Sequence, residues 1–325
     1  MVVLRAGALG DFLLGFPALG ALRRRFPAAR ITLAGPLPAA RFAAEMGLVD
    51  DLLPIDDPRL APLFDERPVQ AVPEPLRDLD VAVVWLSRAQ PVAAHLAAAG
   101  ARRIVAAPPF SRDAGAPHVA DWLLKTLARL GVRADPTWDA RPWLRAGEAG
   151  LAWAAAWQAR DLSRARFLVL HPGSGSARKN WPAQHWADLA ASVGATAGLR
   201  IVITAGPADD AALTAILDAL RHLDTAPLAL REPDLLHLAG VLASAALYLG
   251  NDSGVTHLAA GLGTPTVAVF GPTNPHIWRP RGPRVRVLGG NDRAGLVDVP
   301  LIADEANWPM IEEVREVAEA LADEA

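Results

Sequence analysis

The chain has 325 residues, 52% of them hydrophobic and 21% charged, with a formal net charge of -3 and no cysteine. That length suits two domains with sizeable cores, and the composition excludes a disordered chain. The near-neutral charge excludes nucleic acid as a bulk electrostatic partner, and the missing cysteines exclude disulfides and thiolate metal sites, in keeping with a reducing cytoplasm.

The N-terminus, MVVLRAGALGDF, has neither the charged n-region nor the long apolar h-region of a signal peptide. No uncharged apolar run reaches about 18 residues, so a cytoplasmic protein without a membrane span is expected. Residues 1–150 carry 18 basic against 16 acidic side chains, and residues 151–325 carry 14 against 19. A mildly basic first half is compatible with an anionic acceptor or a membrane surface, and equally with ordinary surface scatter.

In chain order, Val2–Arg5 reads as a short strand closed by a Gly-rich loop, Ala6–Gly10, and a helical stretch then runs to about Arg25. Pro17 suits a first helical turn better than a helix interior, so a kink or separate turn is expected between Asp11 and Pro17. Ile31–Gly35 reads as a strand, Ala39–Met46 as a helix ended by Gly47, and Leu52–Ile55 as a strand. Residues 56–77, rich in Pro and charge, read mostly as loop. Val81–Leu86 is a buried strand, Pro91–Ala99 a helix, Arg103–Ala106 a strand and His118–Leu130 an amphipathic helix ended by Gly131.

Residues 132–148 are Pro-rich and irregular, as an interdomain linker would be. The alternation then restarts. Helices are expected over Ala152–Arg160, Ala183–Ala197, Ala208–Leu223, Leu235–Ala243 and Val255–Gly261. Strands are expected over Phe167–His171, Arg200–Ala205, Ala246–Gly250, Pro265–Phe270 and Val285–Leu288. Ile311–Leu321 forms a last helix with Ile311, Val314, Val317, Ala318 and Leu321 on one face. Two strand–helix series imply two doubly wound parallel-sheet α/β domains, 1–145 and 146–325, with ligands at the carboxyl ends of their strands.

Four loops follow such strand ends. Arg5-Ala6-Gly7-Ala8-Leu9-Gly10-Asp11 lacks the third glycine of a dinucleotide fingerprint, but its glycines allow close backbone approach to a ligand. Asp11 fits either a helix N-cap or a catalytic carboxylate. His171–Pro182 (HPGSGSARKNWP) presents small residues, Ser174 and Gly175 among them, that can turn N–H groups toward an anion, and then Lys179 as a mobile charge. Gly250-Asn251-Asp252-Ser253-Gly254-Val255-Thr256-His257 runs from strand into helix, so the amides of Ser253, Gly254 and Val255 are placed for a phosphate. Asp252 fits a cap or a ligand, and His257 fits a packed core residue or a ligand. Phe270-Gly271-Pro272-Thr273-Asn274-Pro275 closes the next strand, with Arg279 and Arg281 downstream. Asp78-Leu79-Asp80 matches the D-x-D of metal-dependent sugar transferases but precedes its strand, away from the ligand edge. There is no H-E-x-x-H, Walker loop or G-x-S-x-G.

Taken together, R-x-G-x-L-G-D, H-P-G-S-G…K-N-W-P, N-D-S-G-x-x-H and F-G-P-T resemble glycosyltransferase family 9, the ADP-heptose:lipopolysaccharide heptosyltransferases, over nearly the whole chain. The resemblance implies a GT-B fold, two Rossmann-like domains facing a cleft, the first binding acceptor and the second the sugar nucleotide. It also implies that the terminal helix, residues 310–323, packs back on the first domain.

The implied chemistry is inverting transfer of a heptose from ADP-heptose to a lipopolysaccharide-core acceptor, with no metal and no cofactor. By position, Asp11 matches the general base, with Gly7 and Gly10 in the acceptor-side loop. Lys179 matches a diphosphate ligand, and Asp252, Ser253, Gly254 and His257 lie around sugar and diphosphate. An acidic residue that holds ribose in the family matches Asp209 or Asp210, where glutamate is usual, and the register stays open. A lipid-linked acceptor would bring peripheral contact with the inner membrane, although no basic amphipathic helix announces it. Alternatives are a relative using another sugar nucleotide or acceptor, a sugar-nucleotide epimerase, and a non-catalytic sugar-nucleotide-binding module. A nicotinamide dehydrogenase is disfavoured by the missing fingerprint.

Overall fold

The computed structural model describes residues 1–65, 72–113, 115–290 and 307–324. The chain divides into two compact units, Met1–Trp138 and Asp139–Ala325. The division falls seven residues before the expected 145/146 boundary. The reason is local: the backbone N–H groups of Trp143 and Leu144 both donate to the Gly261 carbonyl at 2.9 Å. Trp143 Nε1 adds a bond to the Arg281 carbonyl at 2.8 Å. Residues 139–148 of the linker are thus part of the second unit.

The first unit is a five-stranded parallel sheet in the order β3-β2-β1-β4-β5. Its strands are β1 (Val2–Arg5), β2 (Thr32–Gly35), β3 (Asp51–Pro54), β4 (Val81–Trp85) and β5 (Arg103–Ala107). Every residue of β1 and β4 is buried, as expected for central parallel strands covered on both faces. The first helical stretch is two helices, α1 (Leu9–Leu13) and α2 (Phe16–Arg25), with Pro17 in the first turn of α2, as its missing N–H requires. Helix α3 (Leu37–Glu45) follows β2, α4 (Ala89–Ala98) follows β4 and α5 (Val119–Thr126) follows β5. The stretch expected as loop over 56–77 instead contains two 3₁₀ segments, Pro58–Phe64 and Glu74–Leu76. The first is capped by the Asp57 side chain, and Leu60, Leu63 and Leu76 enter the core. Residues 66–71 of that expected loop lie outside the described residues.

In the second unit six parallel strands run in the order β11-β10-β9-β6-β7-β8. They are β6 (Phe167–His171), β7 (Arg200–Ala205), β8 (Leu228–Arg231), β9 (Leu247–Asn251), β10 (Thr266–Phe270) and β11 (Val285–Gly289). The helices are α6 (Glu148–Asp161), α7 (Ala183–Ala197), α8 (Asp210–Ala219), α9 (Leu235–Ser244), α10 (Gly254–Leu262), the single turn α11 (Pro275–Trp278) and α12 (Ile311–Asp323). β8 was not expected. It is a four-residue edge strand, LALR, only partly buried, and such a strand has no alternation long enough to read. Helix α12 buries Val314, Ala318 and Leu321 in the core of the second unit and packs on α7 and β10.

Strand order reverses between β1 and β4 in the first unit and between β6 and β9 in the second. At such a switch point the loops leave in opposite directions and open a crevice at the carboxyl ends of the strands. Three of the four motifs border these two crevices. The fourth follows β10, next to β9.

Candidate active site

In the first unit the crevice is a depression of about 210 Å³. Arg5, Gly7 and Asp11 line it from the β1 side, Leu86 and Ser87 from β4, and Pro109 and Phe110 from the loop after β5. Gly7 has φ +135°, a conformation that L side chains rarely adopt, and a Cβ there would lie 3.0 Å from the Asp11 Cβ. The loop can therefore pass directly under the Asp11 side chain only as glycine. Asp11 is not the N-cap of α1. That position is Ala8, which makes no side-chain cap, and Asp11 sits in the first turn with its carboxylate toward the positive end of the helix. Gly10, one residue earlier, is in the same turn and its carbonyl accepts from Leu14 N–H at 3.1 Å.

The second unit gathers its charges at the β6/β9 crevice. Lys179 Nζ donates to Asp252 Oδ2 at 3.1 Å. The same oxygen accepts from Thr273 Oγ1 at 2.8 Å, which joins the F-G-P-T loop to the cluster. Asp252 is 6% exposed, so its charge is matched by the lysine rather than by water. Ser253 is the N-cap of α10 and accepts from Thr256 N–H at 3.3 Å, while Gly254 and Val255, both half-buried, open the helix. His257, one turn in, is buried. Burial pushes its pKa down to about 4, with Asp252 acting against that shift and Lys179 with it, so it is neutral near pH 7. Its Nδ1 has no hydrogen-bond partner among the described residues. Such an atom is costly to leave unmet, which distinguishes His257 from a satisfied core histidine.

Ser174 and Gly175 stand farther out in the β6 loop. Ser174 Oγ donates to the Ser176 carbonyl and contacts Asn180 Oδ1, both at 2.6 Å, so it braces the turn that carries Lys179. A Cβ at Gly175 would meet nothing within 4 Å. The two candidate ribose residues behave differently. Asp210 is exposed and paired with Arg231. Asp209 is buried, its Oδ2 accepting from Gly206 N–H at 2.8 Å and lying 3.9 Å from His171 Nε2. His171 is held low by burial, with Asp209 opposing. The Asp209 carboxylate lies so close to Gly173 that a Cβ there would sit 1.9 Å from Oδ1.

Asn251 went unnoticed as a site residue. Its Oδ1 accepts from Trp181 N–H at 2.9 Å and its Nδ2 donates to the Pro172 carbonyl at 2.6 Å, so both ends of the Lys179 loop are tied to β9. A polar residue ending a fully buried strand was the available signal. Asp78 and Asp80 lie before β4, and Asp80 forms an exposed pair with Arg102 at 3.1 Å.

A sequence model described as glycosyltransferase family 9 (heptosyltransferase) matches residues 111–297, more than half of the chain. The chain belongs to glycosyltransferase family 9. Among curated family 9 relatives, lipopolysaccharide heptosyltransferase 1 of Escherichia coli K12 is 32% identical over 127 residues, covering 36% of this chain and 38% of that protein. The corresponding enzyme of Salmonella typhimurium is 35% identical over 98 residues, 30% of this chain and 29% of the relative. Lipopolysaccharide core heptosyltransferase OpsX of Haemophilus influenzae is 27% identical over 166 residues, 50% and 45%. The chain thus spans less than half the length of these relatives in sequence.

Structural likeness extends further. A glycosyltransferase of family 9 from Veillonella parvula superposes with a TM-score of 0.79 at 22% identity, covering 100% of this chain and 97% of that one. E. coli ADP-heptose LPS heptosyltransferase II gives 0.71 at 20% identity, covering 100% and 99%. These likenesses show the fold, which is of the GT-B class with two Rossmann-like parallel-sheet units, in agreement with the expected α/β class.

Proposed function

We propose that this family 9 protein transfers a heptose from ADP-heptose to a lipopolysaccharide-core acceptor by a single, inverting displacement that needs no metal ion. The observation that carries this reading is the Lys179–Asp252 pair beside the capped N-terminus of α10, at the switch point of the second unit. A nucleoside diphosphate is what such a place suits: free amides and the helix dipole favour phosphate, and Lys179 supplies a full positive charge. When the donor binds, Lys179 turns from Asp252 to the diphosphate. As the glycosidic bond breaks, charge grows on the leaving phosphate, and the lysine with the amides of Ser253, Gly254 and Val255 meets it without reorganising. Neutral His257 offers a hydrogen bond to the sugar or diphosphate without adding charge. Asp209 serves the donor side by supporting Gly173 from below.

In the first unit Asp11 is the general base. A carboxylic acid has a pKa near 4, so it assists as the new bond forms rather than removing the hydroxyl proton beforehand. The acceptor is lipid-linked, which would make the protein a peripheral visitor to the cytoplasmic face of the inner membrane. E. coli WaaC, whose structure with ADP is solved, matches at a TM-score of 0.68 and 18% identity, and motivates the choice of ADP over other nucleotides.

Titration with ADP, GDP, UDP and NAD, followed by thermal unfolding, tests the donor half of the proposal. Ligand at 100 times its Kd stabilises by about 2.7 kcal/mol. A shift with ADP alone is expected. A shift only with UDP or GDP would remove the heptosyl donor, and a shift only with NAD would overturn the phosphate cradle.

A further inference from the structure

Arg5 ends β1 with 2% of its surface exposed. A guanidinium so deeply buried is rare and costly unless it is paired. Burial pushes its pKa down to about 10, with Asp11 acting against that shift, so it remains a cation near neutral pH. Its hydrogen bonds do not go to a carboxylate. Nε donates to the Asp11 backbone carbonyl at 3.1 Å, and Nη2 donates to the same oxygen. The stem is clamped from the other side, since a Cβ on Gly15 would lie 3.0 Å from both Cδ and Nε of Arg5. Nη1 is buried with no partner among the described residues. Stability alone gives little reason for this arrangement, because a buried cation with an unmet N–H is commonly replaced by an apolar side chain at no loss.

We infer that Arg5 is a positioning residue for Asp11: its fork fixes the first turn of α1, and its charge stands beside the carboxylate that receives the acceptor proton. The inference rests on the reading of Asp11 as base. Among the described residues that line the depression, Asp11 and Arg5 are the titratable ones. Trp85, Leu86 and Ser87 from β4, and Pro109 and Phe110 from the loop after β5, carry none. Arg5 is therefore a cation beside that carboxylate, and its charge favours the ionised form of Asp11 as the acceptor excludes water.

Arg5→Lys and Arg5→Met separate the two parts. Lysine keeps a charge but loses the fork, so kcat falls about 10-fold while the acidic limb of the pH–rate profile stays in place. Methionine keeps the bulk and loses both, so kcat falls about 100-fold and the acidic limb moves to higher pH, with the donor KM unchanged in each variant. The assay is ADP release from ADP-heptose with a heptose-deficient lipopolysaccharide acceptor, and Asp11→Asn is run alongside. Wild-type kcat in Arg5→Lys overturns the role of the fork, and decides the matter alone if Arg5→Met does not fold. An unmoved acidic limb in folded Arg5→Met overturns the role of the charge. Full activity in Asp11→Asn overturns the base reading itself. An inactive Asp11→Asn beside unaffected Arg5 variants overturns only the positioning inference.

Discussion

Replacing Gly173 with alanine adds one methyl group where the second unit has no room for it. The new Cβ would lie 1.9 Å from Asp209 Oδ1 and 2.2 Å from its Cγ. Real contacts begin near 3.0 Å, so loop or carboxylate has to move by roughly 1 Å. Asp209 cannot yield freely, because its Oδ2 holds Gly206 N–H at 2.8 Å and its side chain is buried beside His171. Overpacking of this kind costs about 1–3 kcal/mol. If the carboxylate gives way, the lost hydrogen bond adds to that, and the general benefit of alanine over glycine in the unfolded chain, about 0.4–1 kcal/mol, offsets part of it. The net expectation is a loss of about 1–3 kcal/mol, read as a lower denaturation midpoint in urea at unchanged slope. ADP affinity falls as well, because the displaced loop carries Lys179. Asp209→Ala removes the obstacle, so the double variant is no less stable than Asp209→Ala alone, a coupling of at least ~1 kcal/mol. A Gly173→Ala variant within about 0.5 kcal/mol of the parent, or strictly additive changes, would refute this steric reasoning.

Three further outcomes are expected. Lys179→Ala weakens ADP binding about 10-fold to 100-fold by calorimetry, since a charge-assisted hydrogen bond is lost, while adenosine binding is little affected. Asp11→Ala lowers turnover about 100-fold or more with an unchanged melting temperature and unchanged ADP affinity. The third concerns pH. His257 is lowered from 6.5 to about 4 by burial. Below pH 6.5 the unfolded chain takes a proton there that the folded chain refuses until about pH 4. Stability is therefore level above pH 6.5, falls by roughly 3 kcal/mol as pH drops to about 4, and loses nothing more from this group below that. His171, lowered in the same sense, adds to the slope. Urea midpoints measured from pH 7.5 to 4 in His257→Gln should fall less steeply than in the parent.

Much of the fold could be read in advance because central parallel strands are continuous apolar runs. VAVVW, FLVLH and TVAVF needed only their length and their flanking Gly and Pro to be placed. Periodicity failed where tertiary packing decides. The edge strand LALR and the 3₁₀ segment that carries Leu60 and Leu63 have no regular pattern of their own. Similarly, the stripe on α12 showed that a partner existed, but not that the partner was α7. In the candidate site, Lys179, Asp252, Ser253 and His257 were legible as short motifs after strands, and the structure brings them together. Arg5 and Asn251 were less so, because their roles depend on contacts across the fold: a guanidinium on the carbonyl of Asp11, and an amide bridging to a loop 70 residues earlier in the chain. Adjacent in sequence, Asp209 and Asp210 differ only in the structure, where the first braces a loop and the second forms a surface ion pair.

The most direct measurement is acceptor-dependent release of ADP from ADP-heptose by the purified protein, with the anomeric configuration of the product determined by NMR. Release that requires a heptose-deficient lipopolysaccharide acceptor, gives an inverted linkage and disappears in Asp11→Asn is the predicted result. Turnover only with a different sugar nucleotide, a retained anomeric configuration, or full activity without the Asp11 carboxylate would contradict it.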